Sequence, residues 1–553
     1  MSVTAYIGNN TTVEAQKRIS NEVTVYPIYK VKGQEQKGKP IHLIQASRDR
    51  QWITIPFHIG SKLFTPKSLY DYTNFQPIRH KMQFIGSLIN DEERDQFSAM
   101  DEAMDILHKE SSILLNLRTG HGKTTESLYL ASQFKLLTLI VCCNIGLLEN
   151  NWVGDMKYTN FKHFMIKNTK PVKIDNEYDV ILCPVTRLRA ISDEDANRVG
   201  MLILDEAVDF CTEKRYMELM RFHPQKIIAL SATPTRSNDG LHLMLEKMIG
   251  TNSVIRKNEK PFPVTIVYTN FEPQPDTTAM GPDWTSMCYE LATNSGRNLI
   301  LMDILKVYSP NNKILVLTNY AAQVELINTL CGDYGLKSTT YYGNKKSYTG
   351  ADILIGTVNK CGTGFDEKQT CVDFDGIRIN LLVLICSVKK FEALIQYLGR
   401  AFRAKFPSVI HLTDNHPVLK RHLRLNKQTY KNSKGVITEI DEWEIKEIKN
   451  AEEFELRHNL ALTEFYKTII KRKKVHSYAE RIKVRIIDFL KKDNENNLDK
   501  DGNECHADDE NDGNEYYAND ECSGDGNECS ECDEDLFSLS ECSQAEEDSR
   551  EDY

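Results

Sequence analysis

The chain has 553 residues, more than one hydrophobic core organises, so at least two globular domains are expected. With 41% hydrophobic and 27% charged residues, no window approaches the ~18 uninterrupted apolar residues of a membrane span, and the first 25 residues lack a basic start followed by an apolar run. A membrane partner and a secretory route are thereby excluded as expectations, and the predicted location is intracellular, cytoplasmic or nuclear.

The net charge of −10 joins two unlike parts. From Asp493 to Tyr553 there are 24 acidic residues against Lys500 and Arg550, a net of −22, which leaves +12 for the rest. A basic body favours a polyanionic partner, DNA and/or RNA. Nine of the 14 cysteines are scattered through that body, as suits reduced, packed thiols.

In chain order, residues 1–84 show strand-like alternation at 22–29, 41–46 and 52–57. This predicts a small accessory region, either a nucleic-acid-binding appendage or a cap on the next domain. A helical pattern over 91–107 follows and carries Gln96, whose amide could read an adenine edge. It leads into the apolar run 113–117 and then Thr119-Gly120-His121-Gly122-Lys123-Thr124.

A buried strand breaking into glycines just before a helix is a phosphate cradle, because glycine lets backbone N–H groups and the helix start face an anion. Lys123 would reach the β- and γ-phosphates of ATP, and Thr124 would offer its hydroxyl to Mg²⁺. Leu117 departs from the usual small residue at the start of such loops.

Short apolar strands and helical segments then alternate, and the polar groups of interest fall at strand C-termini, where an open parallel sheet places its ligand. Strand 137–142 continues into a segment running from Asn144 to Trp152. Strand 179–183 leads to Thr186 and Arg187. Strand 201–204 ends in Asp205 and Glu206, suited to hold Mg²⁺ and to orient or deprotonate a water. Strand 226–230 ends in Ser231-Ala232-Thr233.

After a Pro-containing stretch suited to a linker, a second α/β unit repeats the scheme: 313–318 before Asn319, 353–357 ending in Thr357 and leading to Gly364 and Asp366, then 381–386. A helix carrying Arg400 and Arg403 on one face follows.

These pieces, in this order, resemble the motif series of superfamily 2 DNA/RNA helicases over residues 85–415. The resemblance implies two tandem RecA-like doubly wound parallel-sheet domains, an α/β fold, with ATP and Mg²⁺ between them. It implies cofactor binding by Gln96, Thr119, Gly120, His121, Gly122, Lys123, Thr124, Gly364 and Asp366, and metal binding by Thr124 and Asp205. Catalysis would fall to Glu206, Arg400 and Arg403. Coupling would fall to Ser231 and Thr233, and nucleic-acid contact to Asn144, Trp152, Thr186, Arg187, Asn319 and Thr357.

Val208 departs from the Asp or His that usually ends the acidic box. Within the superfamily, the form of 231–240 is similar to the transcript-release helicases of poxviruses and related large DNA viruses. That implies transcription machinery as a partner, a monomer, and a viral replication site or virion as location. A duplex translocase without strand separation, or a catalytically idle nucleic-acid-binding scaffold, are the alternatives.

The expected organisation is an accessory region 1–84, a helicase ATP-binding domain 85–256, a linker 257–290, a helicase C-terminal domain 291–440, a basic helical extension 441–492 and a disordered acidic tail 493–553.

Overall fold

The computed structural model of the chain describes residues 1–444 apart from 9–11, 32–33, 92–93, 144, 237–238, 259, 279–280, 363–364 and 443. Nearly all of the basic extension and the whole acidic tail therefore lie outside the described residues. Within the described residues no helix is long and apolar enough to cross a membrane.

The N-terminal strands are short: β1 (Ser2–Tyr6), β2 (Thr24–Val25), β3 (Ile28–Val31), β4 (Gln34–Lys37), β5 (Ile41–His42), β6 (Gln45–Ala46) and β7 (Trp52–Pro56). β1, β7 and β6 form an antiparallel sheet in the order β1-β7-β6. Period-2 alternation turns Ala5, Ile53 and Ile55 inward, and all three are buried. They share one hydrophobic core with Leu137, Leu139 and Val141 of the next unit. The described residues among 1–63 are thus a layer laid on one face of the first large sheet. Each fully buried aliphatic side chain at that seam contributes roughly 1.5–3 kcal/mol.

The first large sheet contains β8 (Ser112–Leu117), β9 (Thr138–Cys142), β10 (His163–Met165), β11 (Val180–Pro184), β12 (Met201–Asp205), β13 (Lys226–Leu230) and β14 (Ser253–Arg256). Its order is β10-β11-β9-β12-β13-β8-β14 and every pairing is parallel. Ile113, Leu115 and Leu117 face the core beneath the helices Gln96–Glu110 and Lys123–Phe134. Continuous apolar runs such as Val180–Pro184 are what a sheet covered on both faces requires.

The second sheet begins earlier than its motifs indicate. β15 (Phe262–Tyr268) falls inside the expected linker 257–290, yet it pairs in parallel with β22 (Ser408–Thr413) and β23 (Gly435–Asp441). Between these come β16 (Thr277–Thr278), β17 (Gly281–Pro282), β18 (Ile314–Thr318), β19 (Ser338–Tyr341), β20 (Ile353–Thr357) and β21 (Leu381–Leu384). The seven-stranded order is β19-β20-β18-β21-β22-β15-β23. Phe262, Val264 and Ile266 are buried in the second core, so this stretch belongs to the domain and connects nothing. Pro261 and Pro263 do not prevent it.

Candidate nucleotide-binding cleft

The cradle is built where β8 gives way to the helix Lys123–Phe134. Gly120 and Gly122 take φ of 84° and 118°, a region that favours glycine. No side chain caps this helix N-terminus, so its first backbone N–H groups and the positive end of its dipole remain open to an anion.

A Cβ at Gly122 would stand 2.2 Å from Gln96 Nε2. That closeness reveals what Gln96 does. It is 3% exposed; its Nε2 donates to the His121 carbonyl at 2.5 Å and its Oε1 accepts from Ile89 N at 2.7 Å. Both ends of its amide are bonded to backbone, so Gln96 fixes the loop from below.

His121 is held in the same way. Its ring is 1% exposed and lies between two carboxylates, Nδ1 to Glu126 Oε1 at 2.9 Å and Nε2 to Asp95 Oδ1 at 3.2 Å. Arg256 Nε continues the chain by donating to Asp95 Oδ2 at 2.6 Å. Burial pushes the Glu126 carboxyl up, and the His121 hydrogen bond opposes that shift. His121 thus belongs to the loop's foundation. His121→Ala is expected to cost about 2 kcal/mol by leaving Glu126 buried without its partner. Urea denaturation measures this, and an unchanged midpoint would contradict it.

Two strands along the same sheet, β12 ends at Asp205, and Glu206 turns into the left-handed region with φ 52°, a conformation that costs a non-glycine residue of order 1 kcal/mol and tends to mark functional sites. Lys123 Nζ stands 3.9 Å from Glu206 Oε1. Crowding by the surrounding protein pushes the Glu206 carboxyl up to about 7; Lys123 and Arg400 pull it down, while Asp205 and Asp209 add to the rise.

Trp152 was expected to touch nucleic acid. It is fully buried, and its indole Nε1 donates to Asp205 Oδ2 at 2.9 Å. A side chain with no exposed surface cannot stack on a bound strand, so this expectation is corrected. Cys142 Sγ reaches the same oxygen at 3.6 Å.

The second sheet supplies the far wall. On the helix Phe391–Ala401, Arg400 is buried; its Nε and Nη2 donate to the Gly362 carbonyl at 3.1 and 2.8 Å, and its Nη1 to Phe365 O at 2.7 Å. Arg403 Nη1 also donates to Phe365 O, at 3.0 Å, and lies 3.4 Å from Asp366 Oδ1. Burial would raise the Asp366 carboxyl, but Arg403 and Arg378 hold it below the usual carboxylate range. Asp366 also caps the helix Glu367–Thr370 through Lys368 N at 3.0 Å. Its carboxylate is held by Arg378, Arg403 and a backbone N–H.

The two walls meet closely. A Cβ at Gly120 would lie 3.4 Å from Arg403 Cγ, and one at Gly399 would lie 2.3 Å from Thr119 Oγ1. Gly399→Ala is expected to hold the second domain back from the phosphate loop and to lower ATP turnover at least tenfold with the melting temperature little changed. Turnover equal to wild type would contradict this contact.

Ser231 and Thr233 are buried at the end of β13, where Thr233 N donates to Ser231 Oγ at 3.1 Å. Asn116, which the sequence reading passed over, points its amide N–H₂ at the carbonyls of Ser231 and Ala232, 3.2 Å from each. A lone polar residue inside an apolar strand is the signal that could have found it. Thr186 and Arg187 follow β11, with Arg187 Nη1 donating to Ile166 O at 3.4 Å. Asn319 is exposed after β18, and Thr357 is buried at the end of β20. Asn144 and Gly364 lie outside the described residues.

Residues 75–236 match the family model of the Type III restriction enzyme res subunit. The protein 161L of Invertebrate iridescent virus 6, named as a helicase, is 27% identical over 434 residues, 73% of this chain and 93% of its own length. The chain is similar to superfamily 2 helicases.

Other relatives also come from large DNA viruses. L396 of Acanthamoeba polyphaga mimivirus, named as an ATP-dependent RNA helicase, is 21% identical over 77% of this chain and 82% of its own. Among solved structures, S. cerevisiae Dbp5 bound to RNA and ADP BeF3 aligns with 66% of this helicase and 93% of its own chain, at 13% identity and a TM-score of 0.46. The protein is a nucleic-acid-dependent ATP hydrolase.

Proposed function

We propose that this helicase is a DNA motor whose two domains close on ATP and reopen after hydrolysis, stepping along one strand during viral transcription or replication. The observation that carries this reading is the meeting of Arg403 with Gly120, which sets an arginine from one domain against the phosphate loop of the other. The family model's description, a restriction enzyme subunit, favours DNA.

The residues present fit ATP and Mg²⁺: a glycine cradle with an uncapped helix start, an ammonium within it, and a hydroxyl and carboxylate nearby. The backbone at Thr119, Gly120 and Gly122 with Lys123 would hold the phosphates, and Thr124 and Asp205 would hold the metal. Mg²⁺, when bound, neutralises charge on the phosphate oxygens. Glu206 would orient and deprotonate the attacking water. Arg403 would face the transferred phosphoryl group, and Arg400 would fix the carbonyls of Gly362 and Phe365, the second of which also holds Arg403. Ser231 and Thr233 would pass loop movement to the strand path, lined by Thr186, Arg187, Asn319 and Thr357.

We assign residues 85–256 to the ATP-binding domain, with 1–84 as its cap, and 262–441 to the second. The working form is a monomer, and the transcription machinery is its partner.

Displacement of a labelled strand from annealed duplexes tests the reading. ATP-dependent release from DNA is expected. Hydrolysis on duplex DNA without release would identify a translocase instead, and release from RNA alone would overturn the choice of DNA.

A further inference from the structure

We infer that Trp152 is a positioning residue that ties the segment after β9 to the metal-binding carboxylate, so that a shift of this segment alters the metal site. The inference rests on the proposed role of Asp205 and deepens it.

The segment from Ile145 to Tyr158 is helical, with one widened turn at Leu148–Trp152. Such turns recur at functional sites because they rotate the residues that follow. Here Leu148, Trp152 and Met156, four residues apart, are buried on one face, while Glu149 and Asn150 are exposed on the other. The segment therefore presents one face to solvent and the opposite face to the ATP site.

Three contacts leave this segment. Trp152 Nε1 donates to Asp205 Oδ2 at 2.9 Å. Thr125 Oγ1, beside the candidate metal hydroxyl of Thr124, donates to Asp155 Oδ2 at 3.1 Å. At Gly154 a Cβ would stand 3.3 Å from Gln369 Nε2 of the second domain. One short segment thus touches the acidic strand end, the phosphate-loop helix and the opposing domain.

The indole bond has a definite chemical consequence. A carboxylate with one oxygen held by a fixed N–H presents its other oxygen in a defined direction, and outer partners of this kind orient metal ligands. Because Trp152 is rigid and enclosed, movement of the segment moves the N–H and hence the carboxylate. An aromatic at this place, in sequence a base-stacking candidate, acts through Asp205 instead.

The test replaces Trp152 in the full chain with 3-benzothienylalanine, which keeps the ring shape and puts sulfur where the N–H stood, alongside Trp152→Phe. Mn²⁺ binding to the ADP-bound protein is read by electron paramagnetic resonance. Loss of an outer partner commonly weakens metal affinity 10- to 100-fold. The expected result is at least tenfold weaker Mn²⁺ binding in the benzothienyl variant than in wild type. If Trp152→Phe does not fold, the isosteric variant decides. Unchanged Mn²⁺ affinity in a folded variant, with affinity lost in Asp205→Asn, overturns the role of Trp152 alone. Equal Mn²⁺ affinity in wild type and Asp205→Asn overturns the assignment of Asp205, and the inference with it.

Discussion

Glu206→Gln is expected to leave ATP bound while its hydrolysis falls by about 10²- to 10⁴-fold, the range general-base catalysis supplies. The amide keeps the shape and hydrogen-bonding reach of the carboxylate but cannot accept a proton. Glu206 is placed for proton transfer by an otherwise unfavourable left-handed backbone at the end of β12, with φ 52°. Its carboxyl is raised to about 7 by the surrounding protein, so it holds a proton more firmly than an ordinary glutamate does. Lys123, 3.9 Å away, keeps the two halves of the site together. ATP binding by equilibrium dialysis and single-turnover phosphate release separate the two effects, and turnover equal to wild type would remove Glu206 from this role.

Arg403→Ala is expected to lower kcat by roughly three orders of magnitude, the lower end of what an arginine finger contributes. Arg403 is placed against Gly120 and is held there by Phe365 O and Asp366. Arg400 makes the contrast. Its guanidinium is bonded to the Gly362 and Phe365 carbonyls and buried, so Arg400→Ala should lower stability together with turnover by removing both of its hydrogen bonds to the Gly362 carbonyl and one of the two donors to Phe365 O. A kcat loss in Arg403→Ala at unchanged melting temperature, beside a lowered melting temperature in Arg400→Ala, separates finger from brace. Normal kcat in Arg403→Ala would contradict the finger.

The parallel sheets were legible because their central strands are apolar runs with no alternation: Lys226–Leu230 and Ile353–Thr357 read as strands residue for residue. The phosphate loop and the acidic pair were legible because that chemistry needs glycine, lysine and carboxylates at strand ends. Edge strands were harder. β10 has three half-buried residues and β19 carries Ser338, Thr339 and Thr340, so neither stands out as apolar. β15 was hidden by Pro261 and Pro263, which resemble linker punctuation although the strand sits within the sheet.

Side-chain direction was not legible at all. Trp152, His121 and Gln96 stand at motif positions, but whether each faces a ligand or the core depends on Asp205, Glu126 and Ile89, which are brought alongside only by the fold. The same applies to Asp366, whose arginine partners are 12 and 37 residues further along the chain.

On the proposed reading, ATP is cleaved in a cleft whose second wall closes when nucleic acid is bound. Steady-state phosphate release by the full chain, with and without single-stranded DNA, tests it most directly. Release at least tenfold faster with DNA, abolished by Gly399→Ala, is the predicted result; the same rate with and without any DNA or RNA would contradict it.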